Sequence, residues 1–217
     1  MERNISKMKT IRQSVSAEIT EKKSKFISEL FYVESVKEAE SKIEEINKKY
    51  HDAKHHCFAY RILDENHIVE RASDDGEPSG TAGAPMLQLL SKSELVNVLV
   101  VVTRYFGGVL LGTGGLVRAY SKATSDGIEK AEIATLEQGE IIKVPVSYKN
   151  LAFLQYYCKK NNITILETNF EGELYVIIEI TEQEKGSFLY EMKEKQFDIE
   201  KIELLEKRYI CHSIKKY

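Results

Sequence analysis

The hydrophobic residues in the middle of the chain follow the order of a strand, a turn region and a helix. Residues 99–102 form a short apolar run rich in β-branched side chains, which predicts a buried strand. Glycines interrupt the chain between 107 and 115, and apolar or small residues then recur at steps of three and four from Leu116 to Ala131, which predicts a helix. A glycine-rich loop that leads into a helix N-terminus exposes backbone N–H groups, and these suit an anion.

The first half of the chain alternates between strand-like and helix-like patterns. The expected elements are strands over 14–19, 26–33, 57–63 and 67–72, and helices over 36–50 and from about Ala84. A basic turn at 22–25 separates the first two strands, and residues 64–66 join the next two as a hairpin. Ser35 and Glu38 have the spacing of a capping box before the first helix.

The last third of the chain has the order βαββαβ. Its expected strands cover 140–148, 163–170, 174–180 and 199–210, and its helices cover 151–160 and the residues after 181. Thr181 and Glu184 form a second capping box, and residues 134–139 are expected to be a linker. We therefore expect an α+β protein with one domain over 1–136 and another over 137–217.

The glycine-rich loop matches neither of the common nucleotide-binding motifs. Gly112 and Gly114 begin a G-x-G-x-x-G pattern, but the third glycine would fall at Val117. Thr113 stands where a P-loop requires lysine. Two interpretations stay open. The loop is either an anion or phosphate-backbone site, or a tight turn that packs the helix on the sheet while the nearby charges are only solvated.

Polar residues and glycines in and around the loop form the candidate anion-binding or nucleic-acid-binding set. The set comprises Lys22, Ser24, Lys25, His55, His56, Arg104, Tyr105, Gly107, Gly108, Gly112, Thr113, Gly114, Gly115, Arg118 and Lys122. Arg118 and Lys122 are four residues apart and therefore share a helix face. His55 and His56 are adjacent, so on one strand they would point to opposite sides.

We predict no catalytic residue, no cofactor and no zinc site. His51 and His55 imitate the spacing of H-E-x-x-H, but the helix pattern fades at Tyr50 and no third ligand is evident. The chain has no G-x-S-x-G or S-x-x-K motif that would supply an activated nucleophile. Acidic residues in the turn-rich segment that follows can shape the loop and cap the next helix, or hold Mg²⁺. They are Asp74, Asp75 and Glu77.

The bulk properties limit the possible partners. The 217-residue chain has a formal net charge of −3, so any contact with nucleic acid has to come from a local basic patch. Its three cysteines are widely spaced without a C-x-x-C motif, which fits a reducing cytoplasm. The first fourteen residues do not resemble a signal peptide, and Arg104 near the centre of the apolar stretch 98–117 argues against a membrane span. We expect a cytoplasmic protein.

Two long segments resemble the signatures of the YigZ/IMPACT family. They are DDGEPSGTAGAP at 74–85 and VVVTRYFGGVLLGTGGLVRAYSKA at 100–123. The K-x-S-x-F element of the family also matches at 22–26, and its H-H-C element at 55–57, although Lys54 stands where an arginine is common. The resemblance implies an N-terminal domain with the fold of the second domain of ribosomal small-subunit protein five. It also implies a C-terminal ferredoxin-like domain similar to the last domain of elongation factor G.

The resemblance ties the chain to translation but brings no settled biochemical activity. The first hypothesis is a non-enzymatic translation-associated or regulatory protein that binds RNA or a ribosomal surface through the glycine-rich loop and nearby basic residues. The alternative is an enzyme that acts on a small phosphorylated or peptidic substrate, where His55 or His56 meets the acidic residues at 74–77. The third is a regulator that works through protein contacts, although the chain has no room for the extra RWD domain of eukaryotic family members.

Overall fold

A computed structural model describes residues 8–64 and 67–213 of the chain. The described chain forms two compact units, one over residues 8–135 and the other over residues 136–212. Residues 65 and 66, which belong to the predicted hairpin connection, lie outside the described residues. Residues 1–7, the first half of the N-terminal segment that does not resemble a signal peptide, also lie outside them.

The N-terminal unit combines strands with three long helices. Its elements are β1 (Met8–Ile11), β2 (Val15–Glu21), β3 (Ser24–Tyr32), α1 (Val36–Lys49), β4 (His55–Asp64), β5 (His67–Ser73), α2 (Gly83–Lys92), β6 (Val98–Tyr105) and α3 (Thr113–Lys130). Strands β2 to β6 form an antiparallel sheet in the order β2-β3-β6-β4-β5. The predicted strands and helices of this half are present, with ends that differ by a few residues.

Strand β6 lies in the middle of this sheet and is buried on both faces. Successive residues of a strand point to opposite faces. Val100 and Val102 therefore belong to the core formed with α2 and α3, which also contains Cys57. Leu99 and Val101 belong to the core on the α1 side. Burial on both faces explains why the strand has a continuous apolar sequence rather than an alternating one.

The strand register brings candidate site residues together at one end of the sheet. Arg104 of β6 pairs with Phe26 of β3 on one side and with His55 of β4 on the other. These three residues share the face that α2 and α3 cover, because Phe26 and Cys57 belong to that core. The candidate site is therefore built where β6 ends and where β3 and β4 begin.

Helix α1 is capped by Ser35, but the predicted reciprocal capping box is only half formed. The Ser35 hydroxyl accepts a hydrogen bond from the Glu38 N–H at 3.2 Å. The Glu38 carboxylate accepts a hydrogen bond from the Glu34 N–H at 2.9 Å instead of from Ser35. The side chain thus reaches one residue further back than the sequence motif implies.

The segment after α1 contains the histidine pair that imitates a zinc-protease motif. Helix α1 ends at Lys49 and β4 begins at His55. His51 and His55 therefore do not share a helix face, which a pair of zinc ligands in that motif requires. The predicted end of the helix pattern at Tyr50 is confirmed.

The C-terminal unit has the predicted βαββαβ order. Its elements are β7 (Ile133–Pro145), α4 (Tyr148–Asn161), β8 (Thr164–Asn169), β9 (Tyr175–Thr181), α5 (Glu182–Glu194), a 3₁₀ turn at Ile199–Lys201 and β10 (Glu203–Ser213). Strand β9 lies between β7 and β8, and β10 pairs with β7. With its two mainly antiparallel sheets, the chain confirms the predicted α+β class. In the described ranges, no helix is long and apolar enough to cross a membrane.

The predicted linker at 134–139 is wrong, because these residues belong to β7. Ala134 and Leu136 are fully buried and alternate with less buried neighbours, which is the pattern of a strand. Glycine at 139 suggested a break, but it lies against Ile210, where a Cβ atom would come within 2.1 Å of the isoleucine side chain. The small residue is needed for packing rather than for a turn.

Helix α5 begins with the complete capping box that its sequence predicts. The Thr181 hydroxyl accepts a hydrogen bond from the Glu184 N–H at 3.3 Å, and Glu184 accepts one from the Thr181 N–H at 3.1 Å. Because a side-chain N-cap satisfies helix N–H groups that have no other partner, Thr181→Ala is expected to destabilise the C-terminal unit by about 1 kcal/mol. Urea denaturation followed by circular dichroism measures the change.

The matched control is the first residue before α4. Ser147 occupies the N-cap of that helix but makes no side-chain capping hydrogen bond. Ser147→Ala should therefore change the free energy of unfolding by only a few tenths of a kcal/mol, within the range of an ordinary surface substitution. Equal losses in the two variants would contradict a stabilising role for the Thr181 box.

Candidate functional site

Helix α3 begins without a side-chain cap. Its N-cap is Gly112, whose φ of 73° lies in the left-handed region that favours glycine. The first intrahelical hydrogen bond runs from the Leu116 N–H to the Gly112 carbonyl at 2.9 Å. Among the described residues, none accepts a hydrogen bond from the N–H groups of residues 113–115. The helix thus presents free donors and the positive end of its dipole at an exposed position.

Three cationic side chains line a depression beside the first turns of α3. Lys22, Arg118 and Lys122 line it together with Glu21, and its volume is about 240 Å³. Lys122 forms an ion pair with Asp126 at 2.6 Å. Within the described ranges, Lys22 and Arg118 form no ion pair with an acidic residue. We call this feature the basic depression, and it is a local positive patch on a chain of negative net charge.

A second group of polar side chains is buried between the sheet and α3. The Glu77 carboxylate accepts hydrogen bonds from Arg104 Nη1 at 2.5 Å and from the Tyr120 hydroxyl at 2.9 Å. The side chains of Arg104 and Glu77 are only 6% and 4% exposed. Arg104 Nη2 also donates to Ser24 Oγ at 3.4 Å. Cys57 Sγ lies 3.0 Å from the Asp74 carbonyl oxygen and 3.3 Å from the Tyr120 oxygen, and its one proton can be donated to only one of them at a time. Such buried charges persist only because each is paired and hydrogen-bonded.

Burial also controls the two weak acids of this group. Desolvation raises the pKa of the Cys57 thiol to about 12, and the neighbouring carboxylates contribute in the same direction. Desolvation likewise raises the pKa of Tyr120 well above its usual value. Both groups therefore keep their protons at neutral pH. Cys57 therefore lacks the thiolate character of an activated nucleophile.

His55 lies beside the buried pair and has one ring nitrogen without a partner. Its Nδ1 is 2.7 Å from the Asp75 carbonyl oxygen. A carbonyl oxygen only accepts, so Nδ1 carries a proton, and in the form of the ring that has a single proton Nε2 is an acceptor. Nε2 lies 4.0 Å from Glu77 Oε1, beyond hydrogen-bond distance, and no described residue donates to it. The His55 side chain is 11% exposed, so a largely buried imidazole stands next to a carboxylate.

Asp74 organises the loop that leads into α2. Its carboxylate accepts hydrogen bonds from the N–H groups of Gly80, Ala82 and Gly83 at 2.8 to 2.9 Å. Burial acts to raise the pKa of Asp74, but these three hydrogen bonds outweigh it and hold the pKa below its usual value. Since α2 begins at Gly83, the carboxylate caps this helix from eight residues away in sequence.

The other acidic residues of this segment point to different partners. Asp75 Oδ2 accepts a hydrogen bond from the His56 N–H at 2.6 Å, whereas Glu77 is paired with Arg104. Of the residues that the structure describes, no three histidine, cysteine, aspartate or glutamate side chains are arranged to hold a metal ion. The geometry of Asp74, Asp75 and Glu77 thus favours loop shaping over the magnesium alternative.

Strand alternation separates the candidate anion-binding residues into two groups. Lys25, His56 and Tyr105 lie on the sheet face that α1 covers, opposite to the face of α3. Tyr105 donates a hydrogen bond to Asp52 at 2.7 Å, and Lys25 pairs with Glu18 at 2.7 Å. The expected single surface therefore does not include these three residues.

Burial removes two more residues from the expected exposed surface. Ser24 is fully buried, and its hydroxyl accepts a hydrogen bond from the Gly107 N–H at 3.1 Å. Arg104 is 5% exposed and neutralises Glu77. Ser24 and Arg104 therefore hold neighbouring residues of the site in place and are not exposed to a partner. Gly108 and Gly112 have open space where a side chain would be, so they form part of the exposed loop.

A pocket of about 440 Å³ opens between the buried Arg104–Glu77 pair and the start of α3. We call it the α3 pocket, and its lining is mainly apolar. The lining residues used below are Lys54, His55, Phe106, Leu110, Leu111 and Thr113. The pocket brings His55 and Glu77 together, as the enzyme hypothesis requires, while His56 lies on the other face.

Sequence reasoning missed several residues of this site. Tyr120 was identified only as part of the apolar face of α3, yet its hydroxyl joins Glu77 to Cys57. The sequence pattern assigns no role to Phe106 or Leu110, yet they are 50% and 83% exposed beside the pocket. Large apolar side chains next to the loop glycines are the available signal, because exposed apolar residues in a loop often mark a binding surface.

Comparison with known proteins places this site in a family. The family model of the Impact N-terminal domain matches residues 22–128, which contain the α3 pocket and the three cations of the basic depression. IMPACT family member YvyE of Bacillus subtilis is 36% identical over 198 residues, covering 90% of this chain and 91% of that protein. This chain belongs to the IMPACT family. The resemblance to YigZ/IMPACT is confirmed.

Other relatives of this IMPACT-family chain match over nearly their whole length. An IMPACT family member of Haemophilus influenzae is 37% identical over 186 residues, covering 85% of this chain and 90% of that protein. A solved structure described as a hypothetical protein is similar over 98% of this chain and 99% of its own length, with a TM-score of 0.61 and 25% identity. The similarity over both units supports a shared arrangement of secondary structure along the whole chain.

Proposed function

We propose that this IMPACT-family chain acts in translation regulation by binding RNA, either free or on a ribosomal surface, through the basic depression. The observation that carries the proposal is the meeting of three cations with the uncapped N-terminus of α3. Phosphate groups are bound in proteins by this combination of free backbone N–H groups and positive side chains. The link to translation comes from the family resemblance.

In this proposal the RNA-contacting surface is smaller than the set expected from the sequence, and its cations are Lys22, Arg118 and Lys122. Lys22 reaches the depression from the turn between β2 and β3, where its φ of 45° is left-handed. Arg118 Nη1 lies near the first turn of α3, 3.6 Å from the position of a Cβ atom added to Gly114. Its guanidinium can therefore contact the same phosphate as the free N–H groups. Lys122 lies one helical turn further on.

Removing two of the three cations is expected to weaken RNA binding and its dependence on salt. For a single strand, log K falls with log salt at a slope of about −0.7 per neutralised phosphate. Three contacts predict a loss of about 20-fold between about 50 and 200 mM salt, whereas Arg118→Ala/Lys122→Ala should lose only about threefold. Fluorescence anisotropy with a labelled single-stranded RNA of about twelve nucleotides measures both slopes, and co-sedimentation tests ribosomes.

A double variant in the C-terminal unit supplies the matched control. Lys159→Ala/Lys160→Ala removes the same two charges from exposed positions at the end of α4. It should keep the affinity and the salt slope of the unmodified protein. Equal weakening in both double variants would show a general charge effect, and the absence of RNA and ribosome binding in the unmodified protein would refute the proposal.

A further inference from the structure

The α3 pocket lies next to the basic depression and has the properties of a small-ligand site. Leu111 lines both features, which therefore meet at the start of α3. The volume of about 440 Å³ lies within the range of pockets that hold small molecules. Such pockets are mainly apolar with a few polar groups that fix the orientation of the ligand. The proposed phosphate contacts make no use of this pocket.

The inner end of the pocket offers a hydrogen-bond acceptor that lacks a donor. The His55 side chain is 11% exposed, and its Nδ1 proton is used by the Asp75 carbonyl. Its Nε2 is the remaining ring nitrogen and faces Glu77 only at 4.0 Å. Because this nitrogen makes no hydrogen bond with a described residue, it is available to an N–H or O–H group of a ligand in the pocket.

The outer end of the pocket offers donors that lack an acceptor. Thr113 lines the pocket, and its backbone N–H is among the free donors at the start of α3. Lys54 adds a positive side chain to the same lining. An anionic group would be stabilised here by the helix dipole and by the lysine charge.

Between these ends, the walls present an exposed aromatic ring and aliphatic side chains. Phe106 is 50% exposed, and the Arg104 guanidinium carbon lies 5.5 Å from its ring centroid. Leu110 is 83% exposed, although it is a large apolar residue. A half-exposed aromatic ring beside a cation is a surface on which a planar base can stack.

We propose that the α3 pocket binds one nucleotide, with the base against Phe106, an N–H group of the base donating to His55 Nε2 and the phosphate at the N-terminus of α3. A nucleotide is the ligand class that combines a flat ring, N–H donors and a phosphate within this volume. The inference deepens the proposed function. In RNA, an unstacked base enters the pocket while neighbouring phosphates cross the basic depression.

Free nucleotides test the pocket separately from the RNA surface. AMP, GMP, CMP, UMP and ribose 5-phosphate are each titrated into the full chain by isothermal titration calorimetry. At least one of the four nucleoside monophosphates should bind at least tenfold more tightly than ribose 5-phosphate, because base stacking adds to the phosphate contact. If none of the four does so, the proposal is overturned.

Adjacent histidines provide a matched pair of variants. His55→Asn keeps a donor for the Asp75 carbonyl but removes Nε2, and nucleotide affinity should fall about tenfold. His56→Asn makes the same change on the opposite face of the sheet, where His56 Nε2 lies 3.1 Å from the Tyr50 carbonyl oxygen, and affinity should be unchanged. Phe106→Ala, at an exposed position, should also weaken binding about tenfold. Unchanged affinity in both His55→Asn and Phe106→Ala would contradict the assignment.

The outcomes distinguish this inference from the RNA proposal. If RNA binds with the expected salt slope, but no nucleotide binds and His55→Asn leaves RNA affinity unchanged, the pocket assignment fails and the proposed function stands. If a nucleotide binds and shifts the amide NMR signals of residues 113–115, but RNA and ribosomes do not bind, the pocket assignment stands and the RNA proposal fails. If nucleotide binding shifts only signals outside the pocket, the assignment is overturned.

Discussion

Glu77→Ala is expected to lower the free energy of unfolding of the N-terminal unit by about 3–5 kcal/mol. The reason is the charge that the variant leaves behind. Arg104 remains positive and is only 6% exposed on its side chain. Its remaining hydrogen bond in this cluster is the one to Ser24 Oγ at 3.4 Å, and its Nε has no partner in the described structure. Urea denaturation monitored by circular dichroism measures the loss.

Two further variants show whether the uncompensated charge causes this loss. Glu40 and Arg71 form an exposed ion pair at 3.1 Å, and Glu40→Ala should cost less than about 1 kcal/mol. In the double variant Glu77→Ala/Arg104→Met, the buried charge is also removed, so the stability should recover to within about 2 kcal/mol of the unmodified protein. If Arg104→Met adds a further loss to that of Glu77→Ala, the explanation by an uncompensated charge is wrong.

Most of the fold could be predicted because local patterns and the fold agree. The apolar run at β6, the periodic face of α3 and the complete capping box at Thr181 each specify an element from neighbouring residues alone. The linker at 134–139 could not be recognised in this way. Gly139 at its end suggests a break in the chain. The need for glycine there comes instead from contact with Ile210, which is far away in sequence.

The candidate site was harder to predict because it depends on strand pairing. Alternation separates His55 from His56, as expected, but the same rule also places Lys25 and Tyr105 away from α3 once β3 and β6 are paired. The burial of Arg104 depends on Glu77, which lies on a loop 27 residues earlier. Single-sequence patterns identify residue types, but they do not show which residues of distant segments meet.

The clustered glycines illustrate the same distinction between local and tertiary causes. Clustered glycines have two common local causes, positive φ angles and the close approach of a ligand to the backbone. Gly112 does have a positive φ, at the N-cap of α3. Gly83 and Gly127 have a third reason, since a Cβ atom would lie 2.8 Å from the Ser73 backbone and 2.4 Å from the Leu30 side chain, respectively. The protein itself, rather than a ligand, approaches these residues.

Gly107→Ala is expected to be among the most destabilising single substitutions in the loop, at about 3 kcal/mol or more. A Cβ atom on Gly107 would lie 2.0 Å from the carbonyl carbon and oxygen of Lys23 and 2.4 Å from the Ser24 N. These are backbone atoms, so the clash cannot be relieved by a side-chain rotation. The turn between β2 and β3 would have to move, and the hydrogen bond from the Gly107 N–H to Ser24 Oγ would be lost. Denaturation of the N-terminal unit measures the cost.

Gly108→Ala separates this clash from the ordinary preference for glycine. Gly108 has a φ of 81° but open space around the position of a Cβ atom, so alanine should cost only about 1–2 kcal/mol. The two variants should also differ in RNA binding. Moving the β2–β3 turn displaces Lys22 from the basic depression, so Gly107→Ala should weaken RNA binding even where it remains folded, and Gly108→Ala should not. Equal stability losses in the two variants would contradict this prediction. They would mean that the β2–β3 turn can move at little cost and that close packing at Gly107 does not position Lys22.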